Sequence, residues 1–337
     1  MKRALVFLGI VLMTIGPAGR AQEVTSTAPL QESSWGDETK AETTDYLPEV
    51  RLDSRWGVHH HFSEHSGRFD GDGLYINIDG KINSNLSYSF NHTLATAYGV
   101  DHLDGYAATN WLTLTYEVGD FAITAGKDAL FVGSFEYDAY DLDTYYEMNS
   151  AFYNDFDCWQ WGISGAWYPA EDQEILLQIA NSPYSYGDPG MFSFATGWRG
   201  AWDWYESYWT ANLWMAGTDG LVKGVNLGNR FYLGNFTIDL DLMGRFNEAY
   251  GGYDVILAPS YNFGEWGRLF AKAGADSIDD GWNIFFGGGF EYFPLKENKD
   301  IRLHAVYTFN EYTVGQMFSL GLTWKMNLTK GIKRLMK

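Results

Sequence analysis

The chain is short of cysteine, of basic charge and of long apolar runs, and each shortage removes a class of protein. Cys158 is the single cysteine in 337 residues, so no intrachain disulfide forms and stability must come from another source. Lys and Arg number 23 against 43 Asp and Glu, for a formal charge of −20. Nucleic-acid binding rests on clustered bases, so nucleic acid is not an expected partner. The first apolar run, Ala4 to Ile15, is 12 residues long, where a membrane-spanning helix needs about 20. Mean hydropathy is −0.26, too low for a helical membrane protein. No Walker loop, dinucleotide fingerprint or paired-cysteine metal motif appears, so no cofactor and no metal are expected.

What is present begins with an export signal over residues 1–21. Lys2 and Arg3 precede the apolar stretch, and Gly19 and Ala21 are the small residues of a cleavage site. Removing Lys2, Arg3 and Arg20 takes the formal charge from −20 to −23. Residues 22–48 are rich in Ser, Thr, Glu and Ala without periodicity, and read as a mobile periplasmic lead-in.

From 49 to 328 the chain alternates between apolar and polar residues in stretches separated by turns. The last stretch places Phe318, Leu320, Leu322, Trp324, Met326 and Leu328 on one face. A soluble sandwich gives the same local pattern. The export signal, the abundant glycine and the 18% aromatic content favour an all-β fold, a transmembrane antiparallel β-barrel with lipid outside and water inside. Short turns such as Asn83–Asn85, Gly119–Asp120 and Gly234–Asn235 fall at one end. Longer connections, Ser63–Asp72, Gly99–Thr109, Phe131–Asp157 and Asn181–Gly190, fall at the other. Sixteen strands are expected if Phe192–Trp198 and Glu206–Met215 both cross, and 14 if both lie in a surface loop. The run Tyr208–Trp214 favours 16. A basic tail, 329–337, follows the barrel.

A barrel of that size encloses an aqueous lumen, and charged strand residues belong on the lumen side, since Lys or Arg facing lipid at mid-depth costs about 2–4 kcal/mol. The expected pore-lining bases are Arg51, Arg55, Lys127, Arg230, Arg245, Lys272, Arg302 and Lys325, with Lys223 a further candidate. Acids interleave with them: Asp53, Asp79, Glu117, Asp239, Asp241 and Glu291. Such charges either filter solutes or pair across strands and stiffen the wall. The stretch Phe131–Asp157 is too long and aromatic for a linker. Folded inward it brings Glu136, Asp138, Asp141 and Asp143 to a constriction; folded outward it caps the mouth. The inward placement is favoured.

Two runs carry a family resemblance: Gly126-Lys127-Asp128 followed by Phe135-Glu136-Tyr137-Asp138, and Leu227-Gly228-Asn229-Arg230-Phe231 followed by Asp239 to Arg245. They resemble phosphate-selective porins of the O and P type, particularly those of Bacteroidetes. The resemblance implies a 16-stranded, homotrimeric pore in the outer membrane of a Gram-negative bacterium. The expected activity is passive diffusion of small hydrophilic solutes, anions among them, with no enzymatic step. A binding receptor is the rival, and a barrel hydrolase built on His92 with Ser89 or Asn91 a weaker one.

Overall fold

The computed structural model describes residues 47–96, 108–185, 189–278, 281–295, 299–313 and 315–329. The export signal, all but the end of the lead-in, and all but the first residue of the basic tail lie outside them.

Sixteen strands form: β1 (Glu49–His61), β2 (Ser66–Asn83), β3 (Leu86–Thr96), β4 (Thr109–Val118), β5 (Phe121–Ala129), β6 (Trp159–Ala170), β7 (Gln173–Asn181), β8 (Phe192–Trp202), β9 (Tyr205–Met215), β10 (Leu221–Leu233), β11 (Phe236–Phe246), β12 (Gly252–Asn262), β13 (Gly267–Ile278), β14 (Gly281–Tyr292), β15 (Ile301–Asn310) and β16 (Gly315–Asn327). Each pairs antiparallel with its sequence neighbours, and β1 pairs with β16 from Arg51 opposite Asn327 to His61 opposite Met317. The sheet is a closed ring without an edge, which leaves no strand with unpaired backbone groups facing lipid.

The period-two pattern becomes the two faces of this ring. On β4, Leu112, Leu114, Tyr116 and Val118 are exposed outward, while Thr113, Thr115 and Glu117 alternate with them on the inner face. Exposed tryptophans gather where strands end or turn, as at Trp202, Trp204, Trp266 and Trp282. That is where amphipathic rings sit at a membrane–water boundary. Two-residue turns close five of the hairpins at one end, from β2–β3 to β10–β11, and Gly119 (φ 55°) and Gly234 (φ 66°) supply the left-handed backbone such turns require. One expected long connection is absent: β2 begins at Ser66, so only residues 62–65 separate it from β1. Gly67, Phe69 and Asp70 pair with His60, Val58 and Gly57.

Between β5 and β6 the chain leaves the wall and turns inward. Residues 130–158 hold two short 3-10 turns, Asp141–Asp143 and Tyr146–Met148, and one turn of α-helix, α1 (Ala151–Asp155). Ser150 caps α1, its Oγ accepting from the Tyr153 amide at 3.0 Å. Val132, Phe152 and Phe156 pack with Trp214, Val222, Met243, Ile256 and Phe285, all buried, from β9, β10, β11, β12 and β14. The inner wall is therefore not polar throughout. It carries an apolar patch beneath this segment, and each large side chain buried there contributes about 1.5–3 kcal/mol.

Candidate functional site

The inserted segment is held by buried polar contacts on nearly every side of the lumen. Nearest its start, Asp241 of β11 receives three hydrogen bonds: from Ser134 Oγ (2.7 Å), the Phe135 amide (3.1 Å) and the Glu136 amide (3.0 Å). Glu136 accepts in turn from Lys272 Nζ of β13 at 2.6 Å, and from the Ser150 amide and hydroxyl at 2.9 and 2.7 Å. One carboxylate thus ties the two halves of the segment to each other and to the wall. Asp276, also on β13, accepts from the Ala151 amide at 2.7 Å.

Further along, Asp138 pairs with Arg199 of β8 at 2.5 Å. Tyr140 donates to Asp53 of β1 at 3.3 Å and lies against Trp111 of β4. Asp143 sits between Arg302 of β15, with which it forms a very short pair, and Lys325 of β16 at 2.9 Å. Burial raises the pKa of Asp143, but the attraction of Arg302 and Lys325 outweighs it and holds this carboxyl well below the usual range. The Tyr145 hydroxyl lies 3.2 Å from Glu291 Oε1, and the Tyr145 ring stacks on Phe270.

The bases expected on the lumen side divide accordingly. Lys272, Arg302 and Lys325 pair with acids of the inserted segment. Arg55 is buried, bonds the Thr144 carbonyl and lies 4.3 Å over the Tyr145 ring. Arg230 pairs along the wall with Asp239 at 2.7 Å while covering Phe135. Arg245 pairs with Asp254 at 2.7 Å while covering Phe152. Arg51 stands apart, partly exposed, with its Nε 3.9 Å from Asp53. Lys127 is buried, and its cross-strand neighbours Leu112 and Trp161 are exposed outward residues. Gly126 before it has φ 139°, a break in ordinary strand geometry.

Of the four acids expected at a constriction, Glu136, Asp138 and Asp143 are all in ion pairs. Asp141 opens a 3-10 turn, and its side chain lies outside the described residues. Lys223 does not face the lumen. It is exposed and shares a face with the exposed Leu221 and Val225, two residues from the start of β10. A lysine there extends its ammonium to the water boundary.

Sequence reasoning missed Arg199 and Arg268, which pair with Asp138 and Glu291. The available signal was two-residue spacing: Arg199 shares a strand face with Gly197, and Arg268 shares one with Phe270, whose ring stacks on Tyr145. His92 stacks on Phe90 and contacts Thr109 at 3.1 Å. Ser89 instead bonds Asp79 and Trp111, and Asn91 joins a chain of amides with Asn77 and Asn110. The hydrolase grouping is therefore dispersed.

A closed 16-stranded barrel with an apolar outer face, a charged inner wall and a segment folded into the lumen defines an outer-membrane porin, in a Gram-negative bacterium. Over residues 62–202 the chain matches the family model described as phosphate-selective porin O and P, the family its motifs resemble. No curated protein matches it. Among solved structures it is similar to in-vitro folded OmpT of Vibrio cholerae in its trimer form, at 12% identity and TM-score 0.57, covering 83% of this chain and 99% of that one. A porin refined at 1.8 Å gives 12% identity and TM-score 0.58, covering 83% and 100%. A mutant of Rh. blastica porin gives 14% and 0.56, again over 83% and 100%. These likenesses concern the fold, which is that of the porins.

Proposed function

We propose that the chain is a passive diffusion pore for small hydrophilic solutes, narrowed by residues 130–158. Transport runs down a gradient, with no nucleotide and no covalent intermediate. The observation that carries this reading is the inward docking of that segment through Asp241, Glu136 and Asp143. A capping loop or ligand platform would instead present its charged side chains outward.

In this reading residues 1–21 are removed on export, the two-residue turns lie on the periplasmic side and the protein works as a homotrimer. The trimer form of the Vibrio cholerae neighbour supports the last point. The apolar outer face is available to lipid and to two further copies alike.

The test is planar-bilayer recording of the refolded mature protein. Stepwise conductance in groups of three is expected. A preparation with a full β-sheet spectrum and no conductance would refute the pore.

A further inference from the structure

The lumen is filled unevenly along its length. Toward the long connections the inner wall is packed against the inserted segment. Arg245 and Asp254 keep only 5% and 0% of their side chains exposed there, and Asp276 and Asn310 are buried. Toward the short turns the wall stays open to water. Arg51 is 39% exposed, Arg268 33%, Arg199 27% and Asp239 21%, and each stands within three residues of that end of its strand. Residues 130–158 thus roof a vestibule lined with accessible charge.

The charges of this vestibule sort by wall. On β7 to β11, Glu174, Glu206 and Asp239 join Asp138 of the segment, against Arg199 and Arg230: four acids to two bases. On β13 to β16 and β1 the balance reverses. Arg51, Arg55, Arg268, Arg302 and Lys325 stand against Asp53, Glu291 and Asp143 of the segment, five bases to three acids. In the closed ring β15, β16 and β1 lie half a turn from β7, β8 and β9, so the two walls face each other. Glu117 of β4 and Asp79 of β2, both partly buried, lie on the arc between them, and the β13–β1 wall remains the positive side. Asp138 and Asp143 reach the two walls from one stretch of the segment, and five residues span at most about 18 Å.

We propose that this vestibule selects small zwitterions, above all short peptides with free ends. Their ammonium turns to the β7–β11 wall and their carboxylate to the β13–β1 wall. A field directed across a pore attracts both ends of such a solute, whereas an ion of one sign gains at one wall and loses at the other. A tripeptide, about 10 Å long when extended, places its two charges well toward opposite walls. The solute class differs from the inorganic anion of the family description.

This inference rests on the pore reading, and one uptake assay separates the two. Proteoliposomes holding the refolded mature protein are given arabinose, triglycine, N-acetyl-triglycine and triglycine amide in saline. The entrapped solute is read by mass spectrometry. Triglycine is expected to enter roughly threefold faster than its anionic acetyl form or its cationic amide, the Coulomb effect of one charge at about 6 Å in water. Glu174→Gln is expected to narrow the gap between triglycine and the acetyl form, which lacks the ammonium that this wall attracts. Arg51→Gln is expected to narrow the gap between triglycine and the amide, which lacks the carboxylate. The wild-type comparison stands by itself if a variant fails to insert. Arabinose uptake no faster than in protein-free liposomes would overturn the pore and this inference with it. Arabinose uptake without a preference for triglycine, or a preference that either substitution leaves unchanged, would overturn the inference and leave the pore standing.

Discussion

Substituting Asp241 tests whether one buried carboxylate holds the constriction in place. Asp241→Ala removes the acceptor for Ser134 Oγ, the Phe135 amide and the Glu136 amide at once. Hydrogen bonds to a charged acceptor contribute about 1.5–3 kcal/mol each, and buried donors left without a partner add their desolvation cost. The three together come to roughly 4.5–9 kcal/mol. The β-ladder does not depend on this contact: β11 keeps its pairing with β10 and β12. The loss therefore falls on the docking of residues 130–158. The expected phenotype is a folded barrel with larger, noisier single-channel conductance and new protease cleavage between Phe131 and Asp157. Asp241→Asn retains one oxygen, enough for the Phe135 amide or for Ser134 Oγ with the Glu136 amide, which bond different carboxylate oxygens, and should lie between alanine and wild type. Conductance and protease resistance at wild-type levels in Asp241→Ala would refute the argument.

Acid should act on Asp143. Its folded pKa lies below the usual carboxylate value of about 4, so its contribution is complete above that value. It is lost only as pH falls through the lower, folded pKa. Conductance should thus stay constant from neutral pH to about 5 and rise only in stronger acid, and Asp143→Asn should remove the transition. A rise already complete at pH 6 would assign the change to another group. Gly126→Ala should lower refolding yield severely, since a Cβ there lies 2.0 Å from the Leu112 carbonyl oxygen and φ is 139°. Wild-type yield, read from the heat-shifted band on a gel, would contradict that reading of the β4–β5 contact.

Most of the barrel was legible because a closed sheet imposes one rule on every strand. Tyr208 to Trp214 alternates as clearly as Phe318 to Trp324, and both proved to be strands. The rule failed at Ser66–Asp72, where Gly67, Gly71 and Asp72 read as turn residues. There the backbone of residues 66–71 pairs with β1, opposite His61 to Trp56. It failed again at Lys223, where charge suggested the lumen although the alternation with Leu221 and Val225 pointed outward.

The constriction was legible in its composition and not in its contacts. Glu136, Asp138 and Asp143 stand out as acids on a long aromatic loop. Their partners Lys272, Arg199 and Arg302 lie 136, 61 and 159 residues away in the sequence. No local period encodes a separation of that kind. The apolar lining beneath the segment had the same origin: Val222, Met243 and Ile256 sit at inward positions where water was expected.

The seam between β1 and β16 sets a condition on how the molecule is made. There Gly57 and Gly321 stand directly opposite, and a Cβ on either would meet the facing backbone, at 2.4 Å from the Leu320 oxygen or 2.5 Å from the Trp56 oxygen. The ladder ends with Thr329 Oγ1 accepting from the Val50 amide, across 279 residues of chain. Until residues 315–327 arrive, β1 has a bare rim of amides and carbonyls that lipid cannot satisfy. Insertion and closure are therefore one event, and a substitution that widens this seam acts on whether a barrel forms at all before it acts on what passes through.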